Sequence, residues 1–544
     1  MLVRRGPTRS GRRRDGQGRA VPPAHEDTTR EVDVRVTGLG HAGILFETAA
    51  GRVLCDPWTS PAFFGSWFPF PDNAWLDWDA IGRAEYLYVS HLHRDHFDPA
   101  LLARHVRKDA TVLLPEYPTT ELEDELRALG LRRFVPTRNG QPVDLDGLRV
   151  MITALTGPGD GPIGDSALCL DDGTAVVLNQ NDAHPLDIDR LREFGSFSAH
   201  FLQFSGAIWW PMVYELPPEA KRSFARRKRA GQQERALRYI DAVGADHVFP
   251  NAGPPCFLDP DLRAANGYGS GPWADQSIFT GQHQFLRTLQ DTGRTNGHLL
   301  LPGTEAVLSG PSCTVTQPSS AEQIRSVFED PEPYLRAYAE RREPELARER
   351  ASWCPVPPDL LEQVQAWWEP LLARADRICA GVGGPLRLDA GDLALVVDFP
   401  ARQVRAWNGE ACRYRLSAPA ELIATNVARR EVDWSNSLFL SLRFTAGRIG
   451  PYNEFVYTFL KCLSVERIDY VENWYDAQDD DGRDVVLDGW RVQQRCPHLG
   501  ADLARFGSVE GTTLTCSMHG WRFDLTSGRC LTSAGHDLRA APAG

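Results

Sequence analysis

The chain has 544 residues, too many for one hydrophobic core, so its length predicts three or four domains. A net charge of −13 argues against a protein that binds nucleic acid by neutralising phosphates. No apolar run is long enough to span a bilayer, and the eleven cysteines lack the dense spacing of secreted disulfide scaffolds. These features predict a multidomain cytoplasmic protein that binds neither nucleic acid nor membrane.

The N-terminal half of the sequence predicts a tail followed by a layered domain. Residues 1–30 are rich in arginine and lack the apolar stretch of an export signal, so they are predicted to be a disordered tail. Residues 31–310 alternate strand and helix patterns, which predicts an α/β domain. Its predicted elements include buried strands at 85–90, 175–182 and 246–255 and an amphipathic helix at 226–244.

The C-terminal half predicts two further domains. Residues 311–465 contain Pro-rich joints, strand-like segments and predicted helices at 334–350 and 359–375, a pattern typical of a separate α+β domain. A short acidic loop at 476–484 then leads into the last domain, residues 466–544.

A cluster of potential metal ligands follows the predicted strand EYLYVS. The segment SHLHRDHFD supplies His91, His93, Asp95 and His96. In an HxHxDH loop, the first two histidines can bind one metal ion and the Asp–His pair a second, because alternating side chains face opposite sides of the loop. The spacing therefore favours two-metal chemistry.

A second cluster lies near the C-terminus. The segments CPHLG and CSMHGW, with seventeen residues between the two ligand pairs, supply Cys496, His498, Cys516 and His519. Two thiolates and two imidazoles are the ligands of a Rieske [2Fe–2S] cluster, in which histidines replace cysteines on one iron. Tetrahedral zinc accepts the same four ligands. The flanking residues favour the Rieske interpretation: Pro497, Gly500, Gly520 and Trp521.

Both clusters resemble known families. The HxHxDH loop is that of the metallo-β-lactamase superfamily, which implies an N-terminal αββα sandwich. The C-terminal motifs resemble the Rieske domains of bacterial oxygenases, which implies an all-β C-terminal domain. The match is to the oxygenase type, because Ala501 and Met518 stand where respiratory Rieske proteins carry additional cysteines. The CMP-N-acetylneuraminate hydroxylase family combines both domains, and the segments FSGAIWWPM and FPNAGPPCFLDP resemble its loops. That family has its Rieske domain first, whereas here it is last, so its substrate is not transferred.

The superfamily resemblance implies further metal ligands. A carboxylate bridges the two metal ions in these proteins, and Asp182 stands in that position at the end of the strand 175–182. The intermediate histidine is absent here, and the loop TGPGDGPIGDSAL offers Asp160, which we prefer, or Asp165. His200 is a candidate for the remaining ligand, with an ordinary polar residue beside a turn as the alternative.

Two residues at predicted strand ends are common to one branch of the superfamily. His41 is assigned with Asp182 to catalysis, whereas Asp56 is expected to order the histidine loop as a hydrogen-bond acceptor. Replacing imidazole by carboxylate hardens a metal site and favours iron or manganese over zinc. An iron-containing superfamily member also uses a carboxylate at the intermediate position. A di-iron centre is therefore expected, with zinc and manganese as alternatives.

The two sites together suggest a function. A metal-dependent hydrolase needs no electrons, whereas oxygen activation does, and a Rieske cluster supplies them singly. The combination favours an oxygenase that hydroxylates a small organic substrate with dioxygen and electrons from a ferredoxin or reductase. The alternative is a metal-dependent hydrolase of a phosphoester, amide or lactone in which the Rieske domain senses redox state.

Overall fold

The computed structural model describes residues 33–159, 161–267, 275–477 and 482–543. The predicted N-terminal tail lies outside these ranges, as does Asp160. Within the described residues, no helix combines the length and the apolar character that a membrane span requires.

Two sheets form the centre of the N-terminal region, and the apolar faces of their strands pack against each other. The strands are β1 (Val34–Gly40), β2 (Gly43–Thr48), β3 (Gly51–Cys55), β4 (Tyr86–Tyr88), β5 (Thr111–Leu114), β6 (Arg133–Pro136), β7 (Val143–Leu145), β8 (Leu148–Ala154), β9 (Ser166–Asp171), β10 (Val176–Asn181), β11 (Ala199–Gln203), β12 (His247–Asn251), β13 (Glu305–Ser309) and β14 (Ser312–Thr316). The larger sheet has the order β14-β13-β1-β2-β3-β4-β5-β6 and the smaller has the order β12-β11-β10-β9-β8-β7. The rings of Phe46 and Phe201 meet between the sheets at 5.5 Å.

Helices cover the outer face of each sheet. They are α1 (Trp78–Ile81), α2 (Pro99–His105), α3 (Glu121–Ala128), α4 (Ile188–Phe194), α5 (Pro218–Val243) and α6 (Gln282–Asp291), with a 3₁₀-helix at Arg263–Asn266. Leu101 of α2 and Leu122 of α3 share a core with Leu87 of the larger sheet. Tyr239 of α5 and Phe285 of α6 cover the smaller sheet. This arrangement confirms the predicted αββα metallo-β-lactamase sandwich.

The larger sheet extends beyond residue 310, where the sequence places the end of the first domain. Strand β14 pairs antiparallel with β13 as far as Thr316. Two helices follow, α7 (Ala321–Glu329) and α8 (Pro331–Ala351). Leu335 and Tyr338 of α8 pack against Phe68 and Leu258 of the sandwich. The segment up to residue 351 is therefore packed on the sandwich.

A mixed sheet with helices on it forms the middle region. Its strands are β15 (Pro385–Ala390), β16 (Leu393–Asp398), β17 (Gln403–Ala406), β18 (Tyr414–Ala418) and β19 (Thr445–Arg448), in the order β17-β16-β15-β18-β19. Its helices are α9 (Leu360–Leu372), α10 (Asp376–Val382), α11 (Ala420–Arg429), α12 (Leu438–Ser441), α13 (Glu454–Lys461) and α14 (Val465–Asp476), with a 3₁₀-helix at Trp434–Asn436. Strands β15 and β18 are parallel and the other pairs are antiparallel. The region is α+β, as the sequence predicts.

Small antiparallel sheets form the C-terminal region. The elements are β20 (Asp484–Leu487), β21 (Trp490–Gln493), α15 (Leu503–Phe506), β22 (Gly507–Glu510), β23 (Thr513–Cys516), β24 (Trp521–Asp524) and β25 (Ala540–Pro542). The described strands pair as β20-β21-β25 and β22-β23-β24. Apolar residues of this region, including Phe506 and Trp521, share a core with α4, α5 and α6 of the sandwich.

Candidate functional site

The first candidate site forms where strands of both sheets end. Strands β3 and β4 are parallel with Cys55 beside Tyr88, so Asp56 and the loop that begins after Tyr88 leave the larger sheet side by side. Asp182 directly follows β10 of the smaller sheet. Because the two sheets are stacked, these loops converge on one point.

Three non-glycine residues of these loops have left-handed backbone angles. The φ angles are 52° at His41, 41° at Asp56 and 42° at Asn181. Such conformations cost about 1–3 kcal/mol each and persist where the surrounding structure enforces them, often at functional sites. The loops are therefore held in a conformation that their own residues do not favour.

Two overlapping groups of side chains could hold one metal ion. They are His91, His93 and Asp165, and His91, His96 and Asp182, and within each group the ligand atoms lie within 4.8 Å of one another. Nε2 of His91 lies 3.4 Å from Oδ1 of Asp165, and Nε2 of His96 lies 3.5 Å from Oδ2 of Asp182. The rings of His91 and His96 are 4.2 Å apart.

A third group could hold a second ion. It consists of His41, Asp95 and His96. Nε2 of His41 lies 2.9 Å from Oδ2 of Asp95, and Nε2 of His96 lies 3.8 Å from the same oxygen. His96 belongs to this group and to the group of Asp182, so the two potential metal positions are adjacent.

Buried polar atoms of these groups fit a metal centre. Within the part of the chain that the structure describes, five of them have no hydrogen-bond partner: Nδ1 of His41, Nε2 of His91, Oδ1 of Asp95, Nε2 of His96 and Oδ1 of Asp182. Leaving one such atom unsatisfied costs about 1–3 kcal/mol, so several in one place would be expensive without a ligand. A metal ion would engage the lone pairs that the protein leaves unused.

The protonation states of His91 and Asp95 suit metal binding. Burial lowers the pKa of His91 well below its ordinary value, and the neighbouring His96 and His93 lower it further, so the imidazole is neutral. Burial opposes ionisation of Asp95, but His96 and His41 outweigh it and bring the pKa of Asp95 down to about 2. Neutral imidazole and ionised carboxylate are the forms that bind metals. Burial disfavours the charged form of His96, but Asp182 and Asp95 outweigh it and raise the pKa of His96 well above its ordinary value, so a metal ion would displace a proton there.

Asp56 orders the histidine loop, as expected from the sequence. Its Oδ1 accepts a hydrogen bond from the Ser90 N–H at 2.7 Å, and its Oδ2 lies 3.0 Å from Nδ1 of His96. The hydroxyl of Ser90 lies 2.9 Å from Nδ1 of His91. These contacts engage Nδ1 of both histidines and leave Nε2 facing the site, as is usual for metal-binding histidines.

The remaining ligand candidates are Asp160, Asp165 and His200, and they differ in where the structure places them. Asp165 joins the group of His91, whereas Asp160, which we preferred, lies outside the described residues. His200 is not placed with the other candidates, because it pairs with Leu178 early in the parallel strands, whereas Asp182 follows their end. Its Nε2 instead donates to Oε1 of Gln180 at 2.8 Å.

The second candidate site consists of two similar loops. The Gly500 N–H donates to the Cys496 carbonyl at 2.9 Å, and the Gly520 N–H donates to the Cys516 carbonyl at 2.8 Å. These glycines have φ angles of 74° and 75°, a region in which a side chain is disfavoured. Each loop therefore turns back just after its histidine.

The four predicted cluster ligands meet between these loops. The rings of His498 and His519 are 4.8 Å apart, and Nδ1 of His498 is buried with no hydrogen-bond partner among the described residues. The thiols of Cys496 and Cys516 are in contact. This contact and burial raise the pKa of Cys496 well above its ordinary value. The same contact lowers the pKa of Cys516. Two adjacent thiols and an unused imidazole nitrogen fit a [2Fe–2S] cluster.

Glu454 contacts this site, although sequence reasoning did not find it. Its carboxylate, at the start of α13, lies 3.2 Å from Nε2 of His498 and 2.6 Å from Nε2 of His536. Burial disfavours its ionisation, but His498 and His536 outweigh this effect and hold the pKa of Glu454 far below its ordinary value. Trp521 stacks on His498 at 4.0 Å. No local motif marks an acid that precedes the cluster ligands by tens of residues.

Side chains of α5 attach the second cluster loop to the sandwich. Nη1 of Arg235 donates to the Met518 carbonyl at 2.8 Å. The hydroxyl of Tyr239 donates to the Pro185 carbonyl at 3.0 Å and lies 3.2 Å from Sδ of Met518. Since Pro185 closely follows Asp182, the Rieske loop lies against the turn that carries this candidate metal ligand.

The middle region contacts the histidine loop. Oδ1 of Asn436 accepts from the Arg94 N–H at 3.0 Å, and its Nδ2 donates to the Leu92 carbonyl at 2.9 Å. The Lys461 ammonium donates to the Gly159 carbonyl in the loop that carries Asp165. The middle region therefore supports two of the ligand loops of the first site, the histidine loop and the loop that carries Asp165.

Comparison with known proteins gives the family. Residues 486–539 match the Rieske [2Fe–2S] domain, and residues 360–477 match the Rv3818-like, SCP2-like domain, which the sequence analysis did not identify. Rv3818 of Mycobacterium tuberculosis (strain H37Rv), named as a Rieske 2Fe–2S iron–sulfur protein, is 48% identical over 517 residues, which cover 93% of this chain and 100% of Rv3818. The chain belongs to the Rv3818-like family of Rieske iron–sulfur proteins.

More distant similarities involve parts of the chain. The human inactive cytidine monophosphate-N-acetylneuraminic acid hydroxylase is 36% identical over 67 residues, 12% of this chain and 13% of that protein. CmlA, a diiron β-hydroxylase from Streptomyces venezuelae, is similar in structure with a TM-score of 0.35 and 20% identity, over 52% of this chain and 55% of CmlA. Along the chain of this Rv3818-like protein, the SCP2-like domain follows the sandwich and precedes the Rieske domain.

Proposed function

We propose that this Rv3818-like protein is an oxygenase in which the Rieske cluster supplies electrons to a di-iron centre of the sandwich. The cluster would be held by Cys496, His498, Cys516 and His519. The di-iron centre would be held by His41, His91, His93, Asp95, His96, Asp165 and Asp182. The substrate would be a small organic molecule, and a ferredoxin or reductase would be the electron donor.

One observation carries this proposal: the two sites meet within one chain. His184, two residues after Asp182, lies with its ring 5.7 Å from that of His519. A hydrolase would gain nothing from an electron carrier beside its metal ligands, because its metal keeps one oxidation state. An oxygenase needs single electrons delivered to its metal site.

The residues around the site prepare it for this chemistry. Bound iron would supply dioxygen activation. His91, Asp95 and His96 are at most 2% exposed, so bulk water is excluded and charges interact strongly there. Asp56 holds the orientation of His96, and His41 is positioned by Asp95. Asp433 and Lys461 of the SCP2-like domain act in opposite directions on the pKa of His93, so charged groups of this domain reach the site electrostatically.

Metal analysis of protein purified without air tests the proposal. We expect about four iron atoms per chain, two in the cluster and two in the sandwich, and reductant-dependent oxygen consumption. Asp182→Asn should lose sandwich iron and retain cluster iron. The matched control is Asp187→Asn, an exposed helix cap five residues later, which should retain both.

Other outcomes would replace the proposal. About two irons with two zincs, and hydrolysis of phosphoester, amide or lactone substrates, would support the hydrolase. Cluster iron alone would support an electron carrier with an inactive sandwich. Full iron content without oxygen consumption across a broad substrate panel would contradict the oxygenase.

A further inference from the structure

One contact between the two sites is made by the side chain of His184. The rings of His184 and His519 meet edge to face, with centroids 5.7 Å apart and planes at 80°. On its other side the His184 ring lies nearly parallel to Tyr239, at 6.4 Å and 16°. His184 is half-buried and lies in none of the groups of potential metal ligands found among the described residues.

The surroundings of His184 are fixed from both domains. The Tyr239 hydroxyl holds the Pro185 carbonyl and contacts Met518, which directly precedes His519. Nε2 of Gln180 donates to the Ala183 carbonyl at 2.8 Å. The turn from Asp182 to Pro185 is therefore tied to the strand before it and to the cluster loop beside it.

A second route between the sites exists, and it is longer. A Cβ added at Gly159 would lie 4.0 Å from Nε2 of His498, so the cluster also approaches the loop that carries Asp165. Asp165 lies six positions after Gly159, whereas His184 lies only two positions after Asp182. Electronic coupling falls with each covalent bond along a route, so the shorter covalent path favours the route through His184.

We propose that His184 is the electron bridge between the Rieske cluster and the metal centre of the sandwich. His519 would be a cluster ligand and Asp182 a ligand of the sandwich iron, so the path for one electron would run from the His519 ring across to the His184 ring and along the backbone to Asp182. The reduced cluster would supply that electron and ferric iron would accept it, with no bond formed or broken. This inference rests on the proposed function, since it requires a redox-active metal at Asp182.

Single-turnover reduction of the full chain tests the bridge. The cluster is reduced photochemically without oxygen, and its re-oxidation is followed by absorbance and by the electron paramagnetic resonance signal of the reduced cluster. His184→Leu, which removes the ring, should slow re-oxidation by about tenfold or more, a size typical of losing a partner of a metal ligand. His184→Phe restores an aromatic ring and should recover most of the rate.

Controls separate the bridge from a structural role. His283→Leu removes a partly buried imidazole of α6 that stacks on Phe328 instead, and it should leave the rate unchanged. Iron content and both reduction potentials are measured for each variant. Equal slowing in the Leu and Phe variants, an unchanged rate in His184→Leu, or a slowing explained by altered potentials would overturn the bridge.

The wild-type protein distinguishes the two hypotheses. If its cluster passes no electron to sandwich iron, the proposed function fails and the bridge fails with it. If wild-type transfer is fast and His184→Leu matches it, the proposed function stands and the bridge alone is wrong.

Discussion

The carboxylate of Glu454 is a buried negative charge that belongs to the SCP2-like domain and contacts a cluster ligand. It lies 3.2 Å from Nε2 of His498 and is 3% exposed. Hydrogen bonds and net charge around a cluster set its reduction potential. A carboxylate on the ligand imidazole disfavours the added electron, so Glu454 should lower the potential.

Glu454→Gln keeps the shape of the side chain and removes its charge. We expect the potential of the cluster to rise by about 60 mV or more, equivalent to a tenfold shift in a one-electron equilibrium. A redox titration followed by visible absorbance measures it. Glu510→Gln is the control, because it makes the same change at an exposed position of the Rieske domain. Equal potentials in Glu454→Gln and wild type would show that this contact does not tune the cluster.

At the residue scale, the site residues that lie in short local motifs could be predicted from the sequence. Site residues that depend on long-range contacts could not. The HxHxDH and Cys/His spacings lie within short segments, so the sequence places those side chains together. The choice between Asp160 and Asp165 depends on the path of a glycine-rich loop, which spacing does not determine. His200 is predicted as a ligand from its position after Asp182 in the sequence. Strand pairing instead places it beside Leu178, before the end of β10 that leads to Asp182.

Replacing glycine by alanine should change the stability of the chain in opposite directions at two positions, because the backbone conformations there differ. Gly520 closes the second cluster loop at a φ of 75°, and Gly231 lies inside α5; a Cβ at either would meet nothing within 4 Å. Gly520→Ala should destabilise the folded chain by about 1–2 kcal/mol through backbone strain alone. Gly231→Ala should stabilise it by about 0.5–1 kcal/mol, because alanine favours the helix.

Denaturant unfolding of both variants checks this pair, with the visible circular dichroism of the cluster as a second signal. We expect Gly520→Ala to lose the cluster signal earlier than wild type and Gly231→Ala to lose it later or at the same denaturant concentration. A Gly520→Ala variant as stable as wild type would mean that the loop does not require the left-handed angle.

At the element scale, regular segments were predictable and sheet membership was not. The helix predicted at 226–244 is observed as Pro218–Val243, and the helix predicted at 334–350 as Pro331–Ala351. Strand β14 lies in a segment that reads as a Pro-rich joint, yet it completes the edge of the larger sheet. Its identity depends on pairing with β13, which no local pattern reveals.

At the scale of the whole molecule, contacts between domains surround the candidate metal centre. Asn436 holds the histidine loop from the SCP2-like domain, and Arg235 holds the cluster loop from the sandwich. The order of domains along the chain is readable from motifs. The arrangement of the domains in space is not, because shared apolar cores and polar contacts between residues far apart in the sequence determine it.

Metal removal should destabilise this arrangement. Without an ion, the buried His and Asp atoms of the centre lose their ligand, so a chelator should lower the thermal midpoint of the chain. A ligand at 100 times its dissociation constant stabilises by about 2.7 kcal/mol, so adding ferrous iron should restore the midpoint in a concentration-dependent way. Differential scanning calorimetry without air measures both effects, with cluster absorbance confirming that the cluster remains. Asp182→Asn should have a lower midpoint that responds less to iron, because one ligand is lost. If chelator and iron leave the wild-type midpoint unchanged, the buried His–Asp groups do not hold a metal that contributes to folding.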